Sequence, residues 1–128
     1  MTPNATTEPD QDDAGTSLLL IESVTVAFGG LVAVGNLDLE VASGDRLAVL
    51  GPNGAGKTTL FNAIAGDITP TEGRVVIRGV DCTRLPSRLR PQLGVARTYQ
   101  KTRLFGGLTV EDNLYLAQTG KKGRHLAL

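Results

Sequence analysis

Gly51-Pro52-Asn53-Gly54-Ala55-Gly56-Lys57-Thr58-Thr59 fits the pattern G-x-x-x-x-G-K-[ST], a loop that cradles phosphate groups. Arg46-Leu47-Ala48-Val49-Leu50 precedes it and reads as a short buried strand. Thr58-Thr59-Leu60-Phe61-Asn62-Ala63-Ile64-Ala65 follows and reads as a helix, with Gly66 placed to stop it. Strand, glycine loop and helix in register are the context the motif requires. A glycine-rich turn that binds nothing would need no such register.

The residue types suit a nucleoside triphosphate and Mg²⁺. Successive backbone N–H groups in a tight loop can converge on anionic oxygens, and a helix N-terminus adds positive potential. Gly51, Gly54 and Gly56 are expected to take positive φ and to bring the backbone close to phosphate. Lys57 offers an ammonium to the β- and γ-phosphates, and Thr58 a hydroxyl to Mg²⁺. The expected nucleotide-binding set is Gly51, Pro52, Asn53, Gly54, Ala55, Gly56, Lys57, Thr58 and Thr59.

The 128 residues suffice for one ordinary domain. No apolar run reaches membrane-spanning length, and the N-terminus lacks the basic and apolar regions of a secretory signal. Cys82 is the single cysteine, which excludes an internal disulfide and suits a reducing compartment. One cysteine and one histidine form no metal-ligand pattern. Net charge is zero but uneven. Residues 1–17 hold Glu8, Asp10, Asp12 and Asp13 with no base, and read as a disordered acidic tail. From Arg74 onward, eleven Lys or Arg face only Asp81, Glu111 and Asp112. A solvated face or a docking surface for a partner would explain that bias. Nucleic acid is not expected, because the charges are scattered and aromatics few.

Along the chain, residues 18–28 read as a strand, and Phe28-Gly29-Gly30-Leu31 breaks it. Leu37, Leu39 and Val41 alternate with polar residues, the mark of a second strand with one wet face. Residues 42–45 turn the chain into 46–50. Turn chemistry at 67–73 leads to a strand over 74–78, interrupted by Gly79. Residues 85–93 have helical composition, but Pro91 should end or kink any helix there. A strand is expected over 95–99. Thr109-Val110-Glu111-Asp112 reads as a capping box opening a helix to about residue 118, with Val110, Leu114 and Ala117 on one face. No internal repeat is present.

These residues resemble a family, the ATP-binding subunits of ABC transporters. The filled-in loop through Leu60 is the form that family favours. Thr71-Glu72-Gly73, with a short strand and Gly79 after it, resembles its next turn, and Thr98-Tyr99-Gln100 lies where it has its Q-loop. Phe28-Gly29-Gly30-Leu31-Val32-Ala33-Val34, Gly94-Val95-Ala96-Arg97-Thr98-Tyr99-Gln100 and Arg103-Leu104-Phe105 look most like the branched-chain amino acid importers. Leu108-Thr109-Val110 with Asp112-Asn113 continues that likeness. Pro91 and its neighbours depart from the family pattern. The resemblance covers residues 18–128. It implies an α/β P-loop NTPase fold of ABC type, an antiparallel edge joined to part of a parallel sheet with helices, an incomplete domain.

The resemblance also implies roles. Phe28 looks like the aromatic that stacks on adenine, although a core aromatic at a strand end would look the same. Gln100 looks like the Q-loop glutamine, near Mg²⁺ and the attacking water, and so joins Lys57 as a catalytic candidate and Thr58 as a metal candidate. ATP and Mg²⁺ are the implied cofactors. Transmembrane permease subunits and a second ATP-binding subunit are the implied partners, with the protein peripheral on the cytoplasmic face of the membrane, touching it only through the permease. Four apolar residues followed by Asp-Glu, the Walker B pattern, occur nowhere, and neither does the Leu-Ser-Gly-Gly-Gln signature. The expectation is therefore an importer ATPase subunit of which these residues alone bind nucleotide weakly and do not hydrolyse it. The alternatives are a non-catalytic nucleotide-binding fragment and a soluble ABC-type ATPase. A GTPase is disfavoured by the absence of Asn-Lys-x-Asp.

Overall fold

A run of alternating apolar residues must lie on one face of a strand, because successive side chains point to opposite sides. In the computed structural model, which describes residues 17–98, 104–119 and 126–127, β1 (Ser17–Phe28) follows that rule with one interruption. Leu19 and Ile21 are buried, and then Val24 and Val26 rather than Ser23 and Thr25. The phase slips at Ser23, where φ is 49° and the pairing register shifts on both edges of the strand. This is a β-bulge, one extra residue that returns the apolar set to the core face. Asp38 Oδ1 accepts the Ser23 amide (2.7 Å) and so satisfies the donor the bulge exposes.

The Gly29-Gly30 turn leads into β2 (Leu31–Ala42), antiparallel to β1, with Phe28 opposite Leu31. On the other side of β1 lies β3 (Glu72–Ile77), also antiparallel, followed by the short β4 (Val80–Asp81). The sheet order is β2-β1-β3-β4. Gly73 enters β3 at φ 84°, where a Cβ would stand 2.4 Å from the carbonyl oxygens of both Glu22 and Ser23. The bulge and the glycine therefore fit each other. α1 (Lys57–Ala65) lays Leu60, Ala63 and Ile64 on the sheet, the i, i+3, i+4 face of a helix. They meet Leu19, Ile21, Val24 and Val75 in one core.

Several expectations change. Residues 46–50 form no strand: Leu47 is 56% and Leu50 89% exposed. An apolar run encodes a wish for burial, not a partner, and no described strand lies beside these residues to take up their N–H and C=O groups. Residues 85–93 yield no α-helix but a 3-10 helix, Ser87–Leu93, with Pro91 inside it and Gly94 in the left-handed region closing it. Ser17, read as the end of the acidic tail, opens β1; the rest of that tail lies outside the described residues. Of the strand expected over 95–99, β5 (Val95–Ala96) forms, parallel to β6 (Leu126–Ala127).

α2 (Val110–Thr119) starts as the capping box requires. Thr109 Oγ1 accepts the Asp112 amide (3.1 Å), and Asp112 Oδ2 accepts the Thr109 amide (3.3 Å). Asn113 adds a brace: its Oδ1 accepts the Phe105 amide (3.0 Å) and its Nδ2 donates to Thr109 O (2.9 Å). Val110 and Leu114 share a face as expected, but it is exposed. A helix with so little packing depends on its cap. Thr109→Ala is expected to cost about 1 kcal/mol locally, read as roughly fivefold faster amide exchange at Asp112.

Candidate phosphate-binding site

The loop after residue 50 closes through a turn in which the Ala55 amide donates to Pro52 O (3.2 Å). Gly54 and Gly56 take φ 85° and 89°. Gly51 does not; it was expected to share that conformation, yet its backbone is one any residue adopts, and a Cβ there would meet Ala55 Cβ at 3.2 Å. Gly56 is the residue before the helix. Its carbonyl accepts the Leu60 amide (2.9 Å), the first bond of α1. A Cβ on Gly56 would stand 2.2 Å from the Ala33 carbonyl oxygen, so β2 supports the cradle from behind.

The front is open. No side chain caps the N-terminus of α1, and its first turn carries no acidic residue. The first-turn amides of a helix have no intrahelical acceptor, and here they stand beside an exposed Thr58 hydroxyl. Lys57 curls back, its ammonium donating to Gly51 O and to Pro52 O (3.2 Å). The donor set is thus amides, an ammonium and a hydroxyl, with no anion among them. That chemistry fits a polyphosphate and its counter-cation. Among the described residues no group of three acidic, histidine or cysteine side chains could hold a metal ion by itself.

Helix α1 ends as its sequence implies. Gly66 is left-handed (φ 84°), donating to Ala63 O, and the Asp67 amide donates to Asn62 O (2.9 Å). Phe28 is half exposed at the end of the β1–β2 hairpin, two residues along β2 from the Ala33 that backs Gly56 once the turn is crossed at Leu31. It is not the core aromatic of the alternative reading. Gln100 and Tyr99 lie outside the described residues. The stretch leading to them is held: Arg97 Nη1 donates to Asn62 Oδ1 (2.7 Å) and reaches Asp67 Oδ2 (3.2 Å).

Among the described residues, the basic residues from Arg74 onward do not share one environment. Arg74 pairs with Glu22 across β1 and β3. Arg90 is 1% exposed. Its Nη1 donates to Ile64 O (2.8 Å) and Cys82 Sγ (3.1 Å), and its Nε to Leu85 O (3.1 Å). Burial lowers the Arg90 pKa and raises that of the Cys82 thiol, since each charged form loses solvent. Hydrogen bonds from the Thr83 hydroxyl and amide hold the exposed Asp81 carboxyl below the usual range. Neither Arg90 nor Arg97 was singled out in the sequence, where each is one arginine in a basic half.

The family described as ABC transporter matches residues 34–127, most of the chain and all of the cradle. The chain belongs to the ABC transporter family. The high-affinity branched-chain amino acid transport ATP-binding protein LivG of Escherichia coli is 43% identical over 101 residues, 79% of this chain and 40% of LivG. A putative 2-aminoethylphosphonate import ATP-binding protein, PhnT of Salmonella typhimurium, is 40% identical over 108 residues, 84% of this chain and 28% of PhnT. Among solved structures, an ATP-binding subunit of an ABC transporter superposes with TM-score 0.71 at 27% identity, over 82% of this chain and 43% of that one. An ABC transporter cassette in its ADP conformation gives TM-score 0.64 at 34% identity, over 67% of this chain and 34% of that one. The chain spans about two fifths of the length of LivG. The ABC cassette assignment and the P-loop NTPase fold thus agree with the resemblance read from the sequence.

Proposed function

We propose that this chain is the nucleotide-binding part of an ABC importer subunit that couples ATP binding and hydrolysis to solute uptake. The observation that supports it most is the uncapped, acid-free N-terminus of α1 behind two left-handed glycines. In this reading residues 51–59 form the cradle, the backbone N–H groups that follow Pro52 and the Lys57 ammonium hold the phosphates, and Thr58 is a ligand of Mg²⁺. Gln100 approaches the same cation, and Phe28, half exposed beyond the loop's β2 support, stacks on adenine. Lys57 leaves the carbonyls of Gly51 and Pro52 to do so, exchanging neutral acceptors for charged ones.

Branched-chain amino acids are the favoured solute class, because LivG and its relative BraF of Pseudomonas aeruginosa carry that description at 43% and 41% identity. PhnT stands nearly as close and is described with a different small amine. Permease subunits and a second ATP-binding subunit are the proposed partners. They would hold the protein on the cytoplasmic face, and no described helix is long and apolar enough to cross a membrane. A non-catalytic nucleotide-binding fragment is the second reading, since the chain spans 40% of the length of LivG.

The test is binding of trinitrophenyl-ATP with Mg²⁺, followed by ATP turnover. Lys57→Ala is expected to weaken binding about tenfold, the loss of one charge-assisted contact. Equal binding by both proteins would sink the nucleotide reading. The 128 residues alone are expected to show no turnover above background; robust turnover abolished by Lys57→Ala would overturn that part.

A further inference from the structure

The two arginines that the site does not use both land on the C-terminal turn of α1. We propose that Arg97 is a positioning residue for the phosphate cradle, acting through Asn62 at the far end of the helix that begins with Lys57 and Thr58. The inference rests on reading the loop as a nucleotide site, and it assigns a residue that never touches the nucleotide.

α1 has nine residues, roughly 13 Å of stiff helix, so whatever sets its C-terminal turn also sets its N-terminus. Its inner face is held by Leu60, Ala63 and Ile64. Apolar contacts of that kind resist lifting, but they are non-directional and resist sliding and rotation poorly. Directional contacts are needed, and Arg97 supplies them.

Asn62 is the node. Its backbone carbonyl accepts the amides of Asp67 (2.9 Å) and Ile68 (3.2 Å), the bonds that close the helix. Its side-chain oxygen accepts Arg97 Nη1 at 2.7 Å, and the same nitrogen reaches Asp67 Oδ2 at 3.2 Å. One guanidinium therefore spans the left-handed Gly66, holding a residue inside the helix and a residue beyond it. The planar, always-charged guanidinium suits such a bridge better than an ammonium on a flexible stem. The Arg97 side chain is 19% exposed, so water competes little for the contact. Arg90 backs the same turn. It donates to Ile64 O, and its Nε lies 2.9 Å from where a Cβ on Gly66 would stand. At the other end, Gly56 rests on Ala33. The helix is thus pinned at both ends, by close backbone approach at the cradle and by arginines at the cap.

The experiment uses the 128-residue chain, with amide exchange at residues 56–60 and trinitrophenyl-ATP affinity as readouts. Arg97→Met is expected to speed exchange at 56–60 and to weaken binding about fivefold, the scale of coupling through a packed network. Asn62→Leu should do the same. The double variant should be no worse than either single one, because both break one link. Arg97→Lys should recover part of the loss. Arg74→Met, which breaks the exposed pair with Glu22 on the sheet, should move neither readout; this separates positioning from general loosening. Unchanged exchange at 56–60 in Arg97→Met, or additive losses in the double variant, would overturn the proposal. Should Arg97→Met not fold, Arg97→Lys against wild type decides on the same two readouts. If Lys57→Ala binds the analogue as wild type does, the nucleotide reading fails, and exchange at 56–60 alone decides the positioning role.

Discussion

Gly56→Ala is expected to lower stability by about 3 kcal/mol and to take nucleotide binding with it. Two separate effects add. The residue sits at φ 89°, which an L side chain rarely adopts, and that alone costs about 1 kcal/mol. The new methyl would also lie 2.2 Å from the Ala33 carbonyl oxygen, 3.2 Å from its carbon and 3.4 Å from Val34 Cγ2. None of these can yield cheaply. Ala33 belongs to β2, which is laddered to β1, and Val34 is buried in the core. Either β2 moves or Gly56 leaves the left-handed region, and then its carbonyl no longer meets the Leu60 amide that starts α1. Gly54→Ala is the control. Its φ is nearly the same, 85°, but a Cβ there meets nothing within 4 Å, so the expected loss is about 1 kcal/mol. Denaturant midpoints of the two variants measure the difference. Equal losses would show that backbone strain, not the approach of β2, makes Gly56 a glycine.

That comparison also shows what a motif can and cannot reveal. The backbone of the loop was legible in part: Gly54 and Gly56 are left-handed ahead of α1 and Gly66 caps it, but Gly51 does not take the positive φ expected of it. The two strands were legible too, since Phe28-Gly29-Gly30-Leu31 breaks the first and Leu37, Leu39 and Val41 alternate in the second, although β2 begins earlier, at Leu31. The bulge in β1 was not. Ser23 at φ 49° is an ordinary serine in sequence, and only Gly73 and Asp38, fifteen or more residues away, make the conformation tolerable. Residues 46–50 were misread for a related reason. Apolar composition predicts burial well, but a strand exists only where a neighbour completes its hydrogen bonds. The exposed Leu50, next to the cradle, is where composition and pairing part company. Arginine posed the same difficulty in reverse. Composition assigns Arg90 and Arg97 to a solvated face or a docking surface, whereas the first lies in the core and the second is mostly buried against α1. What redeems Arg90 is Ile64 O, Leu85 O and Cys82 Sγ, and what redeems Arg97 is Asn62 Oδ1 and Asp67 Oδ2, and only the fold assembles either set.

Arg90→Ala is expected to lower stability by about 3 kcal/mol, against about 1.5 kcal/mol for Arg90→Met. The guanidinium is a cation with almost no access to water, an arrangement that survives only when hydrogen bonds replace hydration. Three such bonds are present, to Ile64 O, Leu85 O and Cys82 Sγ, while Nη2 has no partner among the described residues. The Ile64 carbonyl belongs to the last turn of α1, where a cation is favoured by the helix dipole and where the helix supplies no basic residue of its own. Alanine removes the bonds and leaves a void among Ile64, Cys82 and Leu85. Methionine removes the bonds but fills much of the space, and it abolishes the unpaired Nη2. The difference between the two variants therefore measures packing, and the methionine loss measures the net worth of an incompletely satisfied buried cation. A methionine variant as stable as wild type would mean that Nη2 and the desolvated charge cancel everything the three bonds contribute. In that case Arg90 would hold Gly66 and the end of α1 by volume alone, and the directional hold on the helix would fall to Arg97.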